Sequence, residues 1–239
     1  MSSPTAHRTT LRQQPRRIAL FGGSFDPIHS GHLAVARAAD RRFNFDEVHF
    51  ILAGHPPHKH EDHLAPFAHR FAMVALACAE HPHFLPSLAE AGEDGSGRQR
   101  FYSIDTVRHF KSVFHGPGDR LFFILGADAF LDLPLWKEYE ALLGLYDFLV
   151  ASRPGMRTEA LRLIIPPELL GRPPVNVPEG LSGVPVLTHL RRTTVYLLDT
   201  VSSEVSSTDV RRRVHRGQSI HGLVSARVEE YILKQGLYR

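Results

Sequence analysis

A chain of 239 residues that is 43% hydrophobic and 22% charged can bury one large α/β core, and a formal charge of only +3 demands no polyanionic partner. A lone cysteine, Cys78, excludes an intrachain disulfide, and the polar, basic residues 1–17 lack the apolar core of a signal peptide. No apolar run reaches the roughly 18 residues of a membrane span, so a cytoplasmic protein without a membrane partner is expected.

Residues 1–16 read as a disordered tail and 17–239 as a single domain. Ile-Ala-Leu-Phe at 18–21 is a short apolar run that stops at Gly22-Gly23, as a buried parallel strand would. A helix is expected over 30–43 and a strand over 47–52, which ends in the loop 53–63. From Phe67, the residues Phe71, Val74, Ala75 and Cys78 recur at helical spacing, which places Cys78 on an apolar face as a core residue. Ile104, Val107, Phe110 and Phe114 trace the next amphipathic helix. A strand at 121–125 follows, then a helical stretch over 129–143 and a strand at 146–151. The Pro-rich region 154–190 promises little beyond one helix near 158–170. Strand character returns at 194–198, and helices near 207–215 and 224–235 follow. Strands alternating with helices predict a doubly wound parallel α/β sheet with C-terminal helices, with ligands at the carboxyl ends of the strands.

The most informative segment is Phe21-Gly22-Gly23-Ser24-Phe25-Asp26-Pro27-Ile28-His29-Ser30-Gly31-His32. The two glycines would let the backbone turn sharply and let a phosphate approach main-chain N–H groups. Ser24 adds a hydroxyl. His29 and His32, three apart at a helix start, can point to one side, beside a terminus whose partial positive charge favours an anion. Two histidines are too few for a structural zinc site, and no protein metal ligand set is expected.

The complete string resembles the nucleotidyltransferases that carry His-x-Gly-His, whose Rossmann-like fold the resemblance implies. Further segments are similar to the bacterial-type nicotinate-nucleotide adenylyltransferases: His55-Pro56-Pro57-His58-Lys59; Tyr102-Ser103-Ile104-Asp105-Thr106; Gly126-Ala127-Asp128 with Leu133 and Trp136 downstream; Ser152-Arg153-Pro154-Gly155; and Val205-Ser206-Ser207-Thr208-Asp209-Val210-Arg211. They lie in the family's order. Departures are small, with valine for isoleucine at 205 and 210 and serine at 24 and 103 where threonine is common. The region 154–190 carries no family motif.

The resemblance implies transfer of AMP from ATP to nicotinate mononucleotide, giving nicotinate adenine dinucleotide and pyrophosphate, in NAD biosynthesis. It makes His29 and His32 the catalytic pair. It assigns ATP to Gly22, Gly23, Ser24, Phe25, Gly126, Asp128, Ser206, Ser207, Thr208 and Arg211, and nicotinate mononucleotide to Lys59, Tyr102, Ser103, Trp136 and Arg153. Mg²⁺ would be held mainly by ATP phosphates and water. Such phosphate chemistry asks a protein chiefly for positioning and charge stabilisation, which suits these donors.

Three readings compete. Arg211-Arg212-Arg213 with Arg216 could form a nucleic-acid patch, but consecutive helical residues fan out by about 100° each and no aromatic platform accompanies them, so no nucleic-acid partner is expected. Phosphopantetheine adenylyltransferases share the histidine pair but lack the Gly-Ala-Asp…Trp and Arg-Pro-Gly combination. A dinucleotide-binding oxidoreductase fits less well, since no Gly-x-Gly-x-x-Gly follows the first strand. His55, His58, His60 and His63 crowd one loop, best read as solvated. A homo-oligomer is compatible with everything above.

Overall fold

The computed structural model describes residues 15–54, 64–92, 95, 99, 101–152, 158–174, 180–198 and 205–239. Seven strands form one sheet: β1 (Arg17–Gly23), β2 (Glu47–Leu52), β3 (Phe84–Ser87), β4 (Arg120–Gly126), β5 (Asp147–Ala151), β6 (Val186–His189) and β7 (Thr194–Leu198). Their spatial order is β3-β2-β1-β4-β5-β7-β6, parallel throughout except for the antiparallel pair β6–β7. The chain moves outward from β1 through β2 to β3 and then returns to lay β4 against the other side of β1. The switch point of the sheet therefore lies between β1 and β4, the place where such sheets open a crevice at their carboxyl ends.

The central strands are apolar on both faces because both faces are covered. Ala19, Phe21, Phe122, Ile124 and Leu149 point into one core, while Leu20, Phe123, Leu125, Phe148 and Val150 point into the other. The first core is closed by α1 (Ser30–Phe43), α2 (Phe67–Cys78), α7 (Ser207–His215) and α8 (Ala226–Gln235). The second is closed by α3 (Ser103–Val113), α4 (Ala127–Leu131), α5 (Tyr139–Leu143) and α6 (Thr158–Leu163). Cys78 is a core residue, and burial pushes its thiol up to about 12.

Several expectations are corrected. The stretch 129–143 is not one helix: a 3-10 turn at Leu133–Leu135 follows α4, and Trp136 is extended before α5 begins. Pro134 supplies no N–H and cannot continue an α-helix, which breaks the pattern there. The helix expected to 170 stops at Leu163 ahead of Pro166-Pro167. The edge strands β3 and β6 are four residues each, and β3 contains Pro86, a residue a sheet edge tolerates. On α2 the buried positions are Phe67, Arg70, Met73, Val74, Ala77 and Cys78, while Phe71, half-buried, packs against the edge of the same core. Arg16, read as tail, is tied in: its N–H donates to Asp119 and its guanidinium to Glu47.

Candidate active site

At the end of β1 the backbone keeps strand geometry through Gly22 and Gly23, paired with Ile51 and Leu52. The left-handed turn comes later, at Phe25 (φ 44°), rather than at the glycines as the sequence suggests. Gly23 is needed for a steric reason. A Cβ there would lie 2.8 Å from the Phe25 ring, so only glycine lets that ring fold back under the strand. Phe25 packs its side chain against Phe21, Phe50 and His32, which leaves only its backbone to meet a nucleotide.

The two histidines cap α1 reciprocally. His29 is the N-cap and accepts at Nδ1 from the His32 N–H (3.4 Å), while His32 Nδ1 accepts from the His29 N–H (3.2 Å). Their rings stack with centroids 3.7 Å apart. Because each Nδ1 accepts, a neutral ring carries its proton on Nε2, so each histidine offers an Nε2–H donor. The same arrangement occupies the helix-start amides, since the Ser30 N–H also donates to Leu223 O at 2.8 Å. What this helix start has to offer an anion is therefore imidazole donors and the helix dipole more than bare amides.

The start of α7 docks on the loop between β1 and α1. Ser206 is its N-cap and accepts from the Asp209 N–H (3.1 Å). Ser207 Oγ donates to Pro27 O (3.0 Å), so this hydroxyl serves the docking and only its backbone remains for phosphate. Arg211 donates to Asp26 O (2.7 Å) and to Thr208 Oγ1 (3.3 Å). Arg212 and Arg213 turn instead to Asp209, on the solvent side. The helical fan thus separates one inward arginine from two that are paired and half exposed.

A cleft of about 320 Å³ opens beside Gly22, Gly23 and Ser24 and is walled by Tyr102, Ser103 and Trp136. The structure brings these six predicted residues together. Ser103 is not the N-cap of α3 but its first helical residue; Tyr102 is the N-cap and makes no side-chain cap bond. The Tyr102 side chain thus leaves the first-turn amides uncapped, and Asp105 lies in the same turn, paired with Lys137. Gly126 ends β4 across the switch point, with nothing within 4 Å of where a Cβ would stand. Asp128 lies exposed on α4. Lys59, Arg153 and the four histidines of 55–63 fall outside the described residues.

Four residues that the sequence reading passed over belong here. Arg70, 2% exposed, donates to the carbonyls of Ser24, Ala53, Gly54 and Ala65, which joins the loops after β1 and β2 to the entry of α2. A basic residue spaced three from Phe67 and four from Val74 was its signal. Asp26, in the loop between β1 and α1, is wholly buried. Glu90 lines the cleft, accepts from Thr106 Oγ1 (2.8 Å), and burial holds its carboxyl above the usual carboxylate range. Lys137 adds a cation at the cleft, over the Tyr102 ring at 4.6 Å and 3.1 Å from Asp105.

Comparison with known proteins agrees with this geometry. The family described as cytidylyltransferase-like matches residues 20–213. A Geobacter sp. (strain M21) protein described as a probable nicotinate-nucleotide adenylyltransferase is 39% identical over 226 residues, covering 93% of this chain and 98% of that one. A protein of the same description from Thermus thermophilus is 39% identical over 223 residues, covering 93% of this chain and 100% of its own. The fold is similar to that of Plasmodium falciparum nicotinic acid mononucleotide adenylyltransferase complexed with NaAD (TM-score 0.67, 19% identity, 93% and 97% of the two chains).

Proposed function

The chain belongs to the nicotinate-nucleotide adenylyltransferase family, and on that premise we propose how its residues move AMP from ATP to nicotinate mononucleotide. An oxygen of the mononucleotide's 5′-phosphate attacks the α-phosphorus of ATP. A new P–O bond forms there as the bond to the β-phosphate oxygen breaks, and pyrophosphate leaves with nicotinate adenine dinucleotide as the other product. The observation that carries the reading is the reciprocally capped histidine pair at the switch point, with the Ser-Ser-Thr-x-x-Arg start of α7 docked on the same loop.

In this reading the Nε2–H groups of His29 and His32 donate to α-phosphate oxygens as charge builds toward the leaving group. Thr208, the α7 amides and the unused donors of Arg211 hold the β- and γ-phosphates. Gly22 to Phe25 offer backbone to the nucleotide, and Gly126 with Asp128 meets the adenosine across the crevice. The mononucleotide enters the cleft, its pyridine ring against Trp136 and its carboxylate toward the start of α3, with Lys137 nearby. Lys59 and Arg153 are assigned to the same substrate from sequence.

Histidine, hydroxyl and arginine donors suit phosphate oxygens rather than a hard dication, so magnesium would arrive on the triphosphate, held by phosphate oxygens and water. When bound it neutralises charge on those oxygens. The test is pyrophosphate release from ATP with nicotinate mononucleotide, nicotinamide mononucleotide or phosphopantetheine as acceptor, with and without magnesium. Turnover is expected with the first and dependent on magnesium; turnover with phosphopantetheine alone overturns the assignment.

A further inference from the structure

We propose that Tyr238 is a positioning residue for ATP, acting on Arg211 through the buried carboxylate of Asp26; the proposal rests on Arg211 holding the triphosphate. Tyr238 lies beyond α8, past the Gly236 C-cap (φ 62°), and its own backbone is left-handed (φ 65°), a conformation costly to a residue with a Cβ. The turn is closed by the Leu237 N–H donating to Ile232 O (3.1 Å). It delivers the phenol to the loop between β1 and α1, where Tyr238 OH donates to Asp26 Oδ1 at 2.7 Å.

Asp26 has no exposed surface. Its Oδ1 also accepts from the Ala65 N–H (3.2 Å), whereas Oδ2 accepts no hydrogen bond among the described residues and lies 3.5 Å from Arg211 Nη1. The same Nη1 donates to Asp26 O. One carboxylate oxygen is thus pinned by the phenol and an amide, which aims the other at the guanidinium. A guanidinium has five N–H donors, so Arg211 keeps donors for phosphate after its bonds to Asp26 and Thr208. Burial, and then the Asp26 charge, hold the phenol protonated as a donor. Arg70 shares this neighbourhood and feels the Asp26 charge.

Removing one hydroxyl leaves the fold in place but frees the carboxylate to rotate. Tyr238→Phe is expected to raise the KM for ATP roughly fivefold, the scale of one hydrogen bond, with the KM for nicotinate mononucleotide unchanged. Tyr231→Phe is the control. It removes the other α8 hydroxyl contact, to His69 Nδ1 at 3.0 Å, and should leave both constants alone. In an Arg211→Ala background Tyr238→Phe should add nothing further, because its route has been removed. Independent, multiplying effects, or equal changes in both KM values, overturn the proposal while leaving Arg211 in place. An unchanged KM for ATP in Arg211→Ala alone overturns the arginine assignment and the proposal with it. Should Tyr238→Phe fold poorly, Asp26→Asn tests the carboxylate link on which the proposal depends: no rise in the KM for ATP, or a rise that multiplies with that of Arg211→Ala, overturns it.

Discussion

His29 and His32 each spend Nδ1 on the other's backbone, so truncation of either removes one donor and one cap together. His29→Ala and His32→Ala are each expected to lower kcat by roughly 10²-fold or more, the cost of one transition-state donor. Circular dichroism and a thermal melt would show that folding survives; a folded variant with near wild-type turnover would mean that the pair is structural. Arg211 faces the loop while Arg212 and Arg213 bind Asp209. Arg211→Ala should therefore raise the KM for ATP about tenfold, and the other two alanine variants should change it little. Equal effects from all three would show that the helix direction is irrelevant. Motif spacing alone suffices to pick out the histidines and Arg211. Asp26 could not be read that way, since its role depends on a phenol 212 residues further along.

At the scale of elements, the start of α3 is the feature to which the proposed function assigns the choice between acid and amide. Its N-cap Tyr102 makes no side-chain cap bond, Ser103 lines the cleft, and Lys137 stands beside Trp136. Positive potential from a helix start and an ammonium favours a carboxylate, whereas an amide would set an NH₂ against those donors. The ratio of kcat/KM for nicotinate over nicotinamide mononucleotide, at saturating ATP, should exceed about tenfold. Equality would remove this account of selectivity and leave adenylyl transfer untouched. Glu90 ties the cleft wall to α3 through Thr106, and burial raises its folded-state pKa. A raised acid pKa means that the folded chain holds its proton longer than the unfolded chain. The stabilisation is full below the ordinary carboxylate range and is lost as pH rises through the raised value. Melting temperatures of wild type and Glu90→Gln, followed from pH 4 to 8 in steps of about one unit, should diverge with rising pH in favour of the variant. Parallel curves would assign the pH dependence to other groups.

Across the whole molecule, Arg70 is the knot. Its guanidinium joins the carbonyls of Ser24, Ala53, Gly54 and Ala65, so the β1–α1 connection and both ends of the β2–α2 connection share one buried donor set. Arg70→Met keeps the bulk but strands those acceptors, and should destabilise the fold by about 3 kcal/mol or more in chemical denaturation. A loss below about 1 kcal/mol would show that water replaces the guanidinium without difficulty. The parallel sheet and the histidine-bearing helix start could be read from the chain alone, because apolar runs ending at glycines and helical periodicity are local properties, whereas the strand order that sets the switch point could not. Local too is the identity of the motifs from Phe21 to Arg211, since each sits within a dozen residues. What only the tertiary structure decided is which donors remain for substrate. Ser207 turns to Pro27, Ser103 falls one place inside its helix, and the glycines yield the sharp turn to Phe25. The edge strands β3 and β6 likewise exist only by pairing with their neighbours, their four residues being too short to show a period. Hydrogen bonds between Tyr238 and Asp26, or between Arg70 and the loops after β1 and β2, join residues far apart in the chain, and no local pattern encodes a partner that only folding brings within 3 Å.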